Sequence, residues 1–324
     1  MSTDLLLSII IPNYNGEEIL TRCLDNVFEA VDSVKFKTEV IVSDDASTDR
    51  SLDVLAKFPR IRLVVRETNG GFSKNCNTGL AEAKGKILLF LNTDALLEPD
   101  FLQYCEEDFR DPDVFAVTPL GFTTGTGKER DGGRLGYWSL GAPRVSKNYF
   151  EADALRNHLS KPYPSITVVG SYFFCDANKM RQLNGFDPLF SPFLYEEVDL
   201  SYRALKRGWK VLFDPRMKAY HEGSVTLNKV SRPFNQLSIA KRNQLIFCLI
   251  NVHAPRLFAS FILFLFLRLL VFRAVHWAAC LRLLPLLPRI VKRRKEEKSA
   301  AVVGDRVLFQ AYDLRGLLAN RKKA

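Results

Sequence analysis

The chain has 324 residues, 47% of them apolar and 25% charged, a balance typical of a globular protein that excludes a disordered chain. Its formal net charge is +10, and its six cysteines show no C-x-x-C spacing, which indicates reduced, buried thiols in a cytosolic protein. The N-terminus carries Asp4 and only a short apolar run before Pro12, so it does not resemble a secretory signal peptide.

Strands and helices are predicted to alternate over the first hundred residues. Predominantly apolar runs predict strands at residues 5–11, 39–42, 61–65 and 87–91, and apolar positions at helical spacing predict helices at 17–31, 47–58 and 73–83. Strands of this kind, separated by helices, form a parallel sheet that is covered on both faces. The sequence therefore predicts an α/β fold whose ligands bind beyond the carboxyl ends of the strands.

The pattern is less regular after residue 110. Residues 121–141 are dense in glycine and threonine without periodicity, and predict a loop beside the site, either a lid or a polar surface excursion. Strands at 166–175 and 210–213 and helices at 178–183 and 196–206 follow. Residues 245–288 are hydrophobic and punctuated by arginines, and the chain is charged from Lys292 onward.

The fourth predicted strand is followed by the tripeptide N-T-D. Asn92 and Asp94 are two residues apart, so in an alternating pattern their side chains point the same way. A carboxylate with an amide oxygen suits a hard cation, Mg²⁺ or Mn²⁺, that bridges two phosphates of a nucleotide. Such a cation neutralises the charge that develops on a departing nucleoside diphosphate. The same tripeptide is equally typical of a turn or a helix N-cap.

The second predicted strand ends in two carboxylates, Asp44 and Asp45. Carboxylates in this position accept hydrogen bonds from ribose hydroxyls or a base N–H. The alternative is an N-cap for the next helix, a role that Ser47 can also fill. Because both kinds of residue are present, we assign Asp45 to nucleotide binding.

The third predicted strand is followed by Asn69, two glycines and a helix that carries Lys74 and Asn75 in its first turns. Glycines let backbone N–H groups approach phosphates, and a helix N-terminus favours anions. Neither a dinucleotide fingerprint nor a P-loop is present in the sequence. A simple β-turn is the alternative interpretation of this segment.

An acidic cluster opens the helix predicted at 196–206. Glu196, Glu197 and Asp199 would complement the helix dipole, but three acids in four residues exceed what that requires. The apolar residues 193–195 would desolvate a carboxylate and raise its pKa toward that of a general base. We therefore predict a catalytic acid cluster. His221, after a later strand, is either a structural histidine or a nitrogen ligand of the metal.

In combination, these motifs resemble family 2 of the glycosyltransferases, with the nucleotide-diphospho-sugar fold called GT-A. The resemblance covers residues 7–226 and rests on six segments in the family's order: SIIIPNYNGEE, VIVSDDASTD, NGGFSKNCNTG, LFLNTD, GFDPLFSPFLYEEVDLSYR and AYHEGS. It implies an inverting single displacement, in which a base deprotonates the acceptor hydroxyl as it attacks the anomeric carbon. Carried over by position, Asp94 and His221 would contact the metal. The residues that would hold the nucleotide-diphosphate sugar are Pro12, Tyr14, Asp45, Asn69, Asn75 and Asn92.

The sequence departs from the family pattern at two positions. Asn92 replaces the first aspartate of the D-x-D motif, as in rhamnosyltransferase-like members. Glu197 stands at the catalytic-base position in place of the usual aspartate of the E-D-x-D motif, which leaves the choice of base between Glu196 and Glu197 open. Asp199 is assigned to the acceptor side.

The segment 254–295 is basic and apolar, with nine arginines and lysines and no acid. Arg268 interrupts its most apolar part, so we predict helices that lie in the interface of an anionic membrane, with a single tilted transmembrane span as the alternative. The basic residues are interleaved with Leu, Phe and Val rather than with stacking residues, which argues against a nucleic acid partner.

We therefore predict a GT-A catalytic domain at 1–230, with a donor half at 1–110 and an acceptor and catalytic half at 111–230. Membrane-interface helices at 231–295 and a charged tail at 296–324 follow. The acceptor implied is a saccharide on a polyprenyl lipid, used for a cell-surface polysaccharide at the inner face of the cytoplasmic membrane. The alternatives are a sugar nucleotidyltransferase, which would show a G-x-G-x-R loop after the first strand, and a non-catalytic membrane scaffold, which would more readily have lost Asp94 or the acidic cluster.

Overall fold

The computed structural model describes residues 5–148, 161–221 and 232–313. Its strands are β1 (Leu5–Asn13), β2 (Lys37–Asp44), β3 (Ile61–Val65), β4 (Ile87–Leu91), β5 (Ala95–Leu97), β6 (Val114–Thr123), β7 (Glu129–Asp131), β8 (Arg134–Ser139), β9 (Ala142–Asn148), β10 (Tyr163–Pro164), β11 (Tyr172–Asp176) and β12 (Lys210–His221). Its α-helices are α1 (Leu20–Asp32), α2 (Ser51–Leu55), α3 (Phe72–Glu82), α4 (Cys105–Asp108), α5 (Ala177–Gln182), α6 (Glu196–Lys206), α7 (Pro233–Asn251), α8 (Pro255–Leu270), α9 (Ala274–Leu283), α10 (Leu287–Ala300) and α11 (Asp305–Ala311).

Ten of these strands form one mixed sheet, in the order β10, β12, β6, β11, β4, β1, β2 and β3, with β5 paired to β12 and β7 paired to β6. β1 is parallel to both β2 and β4, and β2 is parallel to β3. β11 is antiparallel to β4 and β6. The parallel arrangement predicted for the first hundred residues is confirmed, and it brings the carboxyl ends of β1, β2 and β4 to one edge of the sheet.

Successive residues of the central strands face two different hydrophobic cores. Ile9 and Ile11 of β1 pack in the core that contains the buried face of α1. Ile10 packs in the other core, with residues of α3, α6 and α7. Because side chains alternate along a strand, a strand that is buried on both faces needs an apolar residue at every position. This requirement explains why β1 is apolar from Leu5 to Ile11 except at the buried Ser8, whose hydroxyl donates to Glu39.

Two predicted elements are reduced to about half of their predicted length or less. The helix predicted at 47–58 is reduced to α2, because the backbone N–H of Ser47 donates to Asp44 and that of Thr48 donates to Asn15, each at 2.8 Å. The strand predicted at 166–175 begins only at Tyr172. The backbone N–H of Val168 donates to the hydroxyl of Ser201 instead of to a neighbouring strand.

Residues 121–141, which were predicted to be a loop, contain regular structure. β7 pairs with the end of β6, and β8 pairs with β9 in a separate two-stranded sheet. Gly136 in β8 packs against Ile166, and a Cβ at Gly136 would lie only 2.2 Å from Ile166 Cδ1. Gly136 is therefore required by close packing, whereas Gly125 and Gly127, both with positive φ, lie in the turn between β6 and β7.

The described residues after 231 complete the core of the same domain. Residues 245–248 of α7 and Leu308 and Phe309 of α11 belong to the same hydrophobic cluster as Ile10. The Asp305 carboxylate accepts hydrogen bonds from Tyr202 Oη (2.8 Å) and Lys206 Nζ (2.6 Å) of α6. The predicted boundary near residue 230 therefore does not separate two cores, and the tail predicted from 296 includes a packed helix; residues 314–324 lie outside the described residues.

Candidate active site

A cavity of about 750 Å³ opens where β1, β2 and β4 end. Because parallel strands deliver the loops that follow them to one edge of a sheet, residues distant in sequence meet there. All but one of the predicted site residues line this cavity: Pro12, Tyr14, Asp45, Asn69, Asn75, Asn92, Asp94, Glu196, Glu197 and His221.

Asp45 holds the loop that follows β3. Its carboxylate accepts hydrogen bonds from the backbone N–H groups of Gly70 (2.9 Å) and Gly71 (2.8 Å), and it forms an ion pair with Arg66 at 2.8 Å. Gly71 has φ +81°, a conformation that favours glycine. Asp45 therefore fixes the N-G-G turn in the cavity wall, and its contact with a nucleotide stays a prediction.

Two amide side chains beside Asp45 present unsatisfied oxygens. Asn13 Nδ2 donates to Asp44 at 2.7 Å, and Asn75 Nδ2 donates to the Asn13 carbonyl at 3.1 Å. Both residues are buried, line the cavity and keep an Oδ1 without a hydrogen-bond partner among the described residues. A buried amide oxygen without a donor is unfavourable, but both oxygens are enclosed by the chain, so a ligand could reach them only after a local rearrangement.

Asp94 and His221 meet because β5 and β12 pair, with His221 opposite Ala95. His221 Nε2 lies 3.2 Å from Asp94 Oδ2, and His221 Nδ1 lies 3.6 Å from Asp131 Oδ2. Burial favours the neutral imidazole, but the hydrogen bonds and charges of Asp131 and Asp94 outweigh burial and raise the pKa of His221 to about 9. This contact groups two predicted metal ligands with an acid that the sequence did not single out.

The donor set fits a divalent cation that is shared with a ligand. Within the described parts of the chain, no group of three or more His, Cys, Asp or Glu side chains is arranged to hold a metal ion alone. Mg²⁺ commonly takes only one or two carboxylates from a protein and completes its shell with substrate phosphates and water. Asp94 and His221, both nearly buried at the cavity wall, would therefore hold such an ion only together with a phosphate ligand.

Glu196 and Glu197 follow a strained turn at the start of α6. The preceding Leu194 and Tyr195 have φ +74° and +78°, in the region that favours glycine. Burial, followed by the charge of Glu197, raises the pKa of Glu196 well above its ordinary value. Burial also raises the pKa of Glu197, but the positive charge of Arg134 opposes that rise. The pKa values of both acids are therefore raised, and Arg134 is the cation that opposes the rise at Glu197.

Asp199 does not take the acceptor-side position that was predicted for it. It is fully buried and does not line the cavity. Its carboxylate forms an ion pair with Arg203 at 2.7 Å and accepts a hydrogen bond from Asn251 Nδ2 at 2.7 Å. Asp199 therefore joins α6 to the end of α7, and an acceptor cannot reach it without disrupting the core.

Residues 8–166 match the sequence model of glycosyl transferase family 2. The chain contains a glycosyl transferase family 2 domain. Over 131 residues the chain is 33% identical to chondroitin synthase of Pasteurella multocida (strain Pm70). The aligned segment covers 39% of this chain and 13% of that protein. Over 100 residues it is 34% identical to poly(ribitol-phosphate) beta-N-acetylglucosaminyltransferase TarS of Staphylococcus aureus (strain Mu50), covering 30% of this chain and 17% of that one. The aligned part thus spans less than a fifth of these relatives.

Solved structures share the fold of the family 2 domain. The mannosyltransferase PcManGT from Pyrobaculum calidifontis, in complex with GDP-Man and Mn²⁺, has a TM-score of 0.54 at 18% identity and covers 99% of this chain and 87% of that chain. GalNAc-T7 with UDP, GalNAc and Mn²⁺ has a TM-score of 0.59 at 20% identity, covering 77% of this chain and 48% of that chain. The predicted GT-A fold is confirmed.

Helix α7, which lies outside the residues matched to family 2, fixes the loop that leads to the acid pair. Asn243 is fully buried, and its Nδ2 donates to the carbonyls of Phe190 (2.7 Å), Phe193 (2.9 Å) and Leu194 (2.8 Å). Arg242 donates to Asn243 Oδ1 at 2.7 Å, which orients the amide. α7 therefore holds the loop that precedes the acid pair, and both α7 and the acid pair lie outside the residues matched to family 2.

Sequence reasoning missed four residues of this site. Asn13 stands between two predicted site residues and could have been found from that position. Asp131 and Arg134 lie in the glycine-rich segment that was predicted to be a loop. Asn243 lies in α7, and nothing in the sequence around it indicates that its side chain contacts three backbone carbonyls.

We expect Asn243→Ala to loosen the loop before α6, because three carbonyls lose their donor. The free energy of unfolding should fall by about 1–3 kcal/mol. Amide hydrogen exchange should rise in residues 190–198. Asn26→Ala is the matched control, since Asn26 exchanges two hydrogen bonds with the Leu97 backbone far from this loop. Equal exchange in residues 190–198 of the two variants would show that Asn243 does not hold the loop.

Proposed function

We propose that this protein is an inverting glycosyltransferase that moves a sugar from a nucleotide-diphosphate donor to an acceptor hydroxyl. The observation that carries the proposal is the presence, in one cavity, of the Asp94–His221 pair and the Glu196–Glu197 pair. The first pair suits a cation that a diphosphate shares, and the second pair suits proton removal from a hydroxyl. A family 2 domain agrees with this chemistry.

The donor side of the proposal rests on the end of β1 and on the loops after β1, β2, β3 and β4. Pro12, Tyr14 and Asn69 line the cavity there, beside Asp45. Asp94 and His221 would hold Mg²⁺ or Mn²⁺, which neutralises charge on the leaving diphosphate when bound. The PcManGT and GalNAc-T7 structures were solved with nucleotides and Mn²⁺.

Glu197 is the better candidate for the base. A general base must be ionised in the resting enzyme, and Arg134 favours the ionised form of Glu197. Glu196 is more completely buried, and the charge of Glu197 makes its ionisation still less favourable. In the displacement, Glu197 takes the hydroxyl proton while the acceptor oxygen bonds to the anomeric carbon. The bond from that carbon to the diphosphate breaks on the opposite side, which inverts the configuration.

We further propose that the enzyme acts at the inner face of the cytoplasmic membrane on a lipid-linked saccharide used for a surface polysaccharide. α8 exposes apolar side chains at Ile262, Leu263, Phe266, Leu267 and Leu270, a spacing that places them on one helix face. Such a continuous exposed apolar face is typical of interfacial helices. One helical stretch, Ala274–Ala300, also has the length and composition of a membrane span, which is weak evidence for crossing.

The donor proposal is tested by the thermal stability of the full chain with UDP, dTDP or GDP, each with and without Mn²⁺. One nucleotide should stabilise the protein in a metal-dependent way, by about 2.7 kcal/mol at a hundredfold excess over Kd. Asp94→Asn should remove the metal-dependent part. Asp113→Asn should not, because Asp113 is an exposed partner of Lys210. No stabilisation by any of the three nucleotides would contradict a donor site for these bases and favour the non-catalytic scaffold.

The base assignment is tested with the donor found in this way. Glu197→Gln should reduce transfer about 10²- to 10⁴-fold, because the amide cannot accept the proton, while nucleotide affinity is retained. In the wild type, kcat/KM should fall with decreasing pH through the pKa of Glu197, which burial holds above its ordinary value of 4.5. Transfer that survives in Glu197→Gln but is lost in Glu196→Gln would make Glu196 the base.

The membrane proposal is tested with point substitutions, since α7 belongs to the core and truncation would disrupt the fold. Phe266→Glu should reduce binding to vesicles of phosphatidylglycerol and phosphatidylcholine about tenfold or more, because an apolar side chain buried at an interface contributes about 1.5–3 kcal/mol. Val302→Glu is the control, since Val302 is 77% exposed but lies outside α8. Unchanged sedimentation of Phe266→Glu would exclude this face as the membrane contact.

A further inference from the structure

We propose that Asp131 is a positioning residue, which orients the imidazole of His221 for the divalent cation that His221 and Asp94 would share. This inference rests on the proposed function, because it concerns the same pair of metal ligands. Asp131 is the last residue of β7, in the glycine-rich segment that was predicted to be a loop. It is 8% exposed and lines the cavity together with Asp94 and His221.

The imidazole of His221 lies between two carboxylates. Its Nε2 lies 3.2 Å from Asp94 Oδ2, and its Nδ1 lies 3.6 Å from Asp131 Oδ2. The two acids therefore contact different nitrogens of one ring. A cation held by Nε2 and Asp94 would leave Nδ1 to Asp131, which agrees with the absence of a three-ligand metal group in residues 5–148, 161–221 and 232–313.

A carboxylate beside Nδ1 prepares Nε2 to bind a cation. A neutral imidazole carries one proton, and a nitrogen that binds a metal must be the one without it. The negative charge of Asp131 attracts that proton to Nδ1, and at 3.6 Å the attraction is electrostatic rather than a hydrogen bond. Histidines that bind metals usually have such a carboxylate at their other nitrogen, which fixes the ring and makes it a stronger ligand.

Two other side chains fix the carboxylate of Asp131. Arg134 donates to Asp131 Oδ1 at 3.0 Å, so the other oxygen, Oδ2, is the one that faces His221. Tyr172 Oη lies 3.5 Å from the same Oδ2. The Tyr172 ring also stands edge-on to the imidazole, with ring centroids 6.1 Å apart and an interplanar angle of 88°. The positions of the carboxylate and of the imidazole are therefore set by common neighbours.

Gly121 of β6 provides the space for this group. It is paired with Asp131 of β7 on one side and with Ala219 of β12, two residues before His221, on the other. A Cβ at Gly121 would lie 1.6 Å from Tyr172 Oη and 2.9 Å from Asp131 Cβ. Any other residue at this position would displace one of these side chains. The approach of Asp131 to His221 therefore requires glycine here.

The location of Asp131 distinguishes it from carboxylates that have a structural role. Asp199 and Glu297 are also buried and also pair with arginines, but neither lines the cavity. Asp131 combines an arginine partner with a place in the cavity wall and a contact with a proposed metal ligand. This combination is expected of a residue that acts through His221.

The test is the concentration of Mn²⁺ that produces half of the metal-dependent thermal stabilisation of the full chain by UDP, dTDP or GDP. In Asp131→Asn, which keeps the shape of the side chain and removes its charge, this concentration should rise about 10- to 100-fold. Asp131→Ala should raise it at least as much. Glu297→Gln is the matched control, since it neutralises a buried carboxylate that pairs with Arg207 outside the cavity, and should leave it unchanged.

A purely structural role of Asp131 would give a different result. The melting temperature of Asp131→Asn without ligands would fall, as in Glu297→Gln, while the Mn²⁺ concentration for half stabilisation stayed at the wild-type value. That result would overturn the inference and leave the proposed function intact. Failure of the proposed function would instead appear in the wild type, as stabilisation by none of the three nucleotides or as stabilisation that does not depend on Mn²⁺.

Discussion

The hydrogen bonds from Asn243 to the loop before α6 are the constraint on which the rest of the site depends. They connect a buried helix that begins after residue 231 to a turn that contains two residues with positive φ. A turn of this kind persists only when its surroundings determine it. The acidic motif alone therefore does not orient Glu196 and Glu197 into the cavity. Their orientation depends on the whole domain, including the C-terminal helices outside the family 2 match.

Burial acts on the charged groups in and around the site in two opposite ways. It raises the pKa values of Glu196 and Glu197, which line the cavity, and it lowers those of Lys241 and Arg268, which lie on α7 and α8. In each case burial disfavours the charged form, because that form loses the most hydration. The positive charge of Arg134 opposes this effect at Glu197, so the ionised form that a base requires depends on a cation from the hairpin β8–β9.

The sequence predicted well those features that local patterns determine. The strand Ile87–Leu91 and the helix Glu196–Lys206 follow from apolar spacing, and most cavity residues follow from polar clusters after strands. Long-range contacts decided the rest. The last part of α7, residues 245–250, is apolar because it packs inside the domain, yet α7 was included in the predicted membrane-interface segment 231–295. Asp131 meets His221 only through the pairing of β6 with β7 and β12, which a glycine-rich segment does not reveal.

The arrangement of α8 links the membrane face to the chemistry. One helix carries both the exposed apolar residues and Arg268, so an orientation that immerses Phe266 in an interface places Arg268 near the depth of lipid phosphates. The Arg268 guanidinium is at the same time bonded to the turn between β8 and β9, since it donates to the Leu140 carbonyl. The strand that follows this turn contributes Pro143 and Val145 to the cavity wall. The proposed membrane face and the cavity are therefore connected through one hairpin, so a displacement of α8 at a membrane surface would be transmitted to the cavity wall.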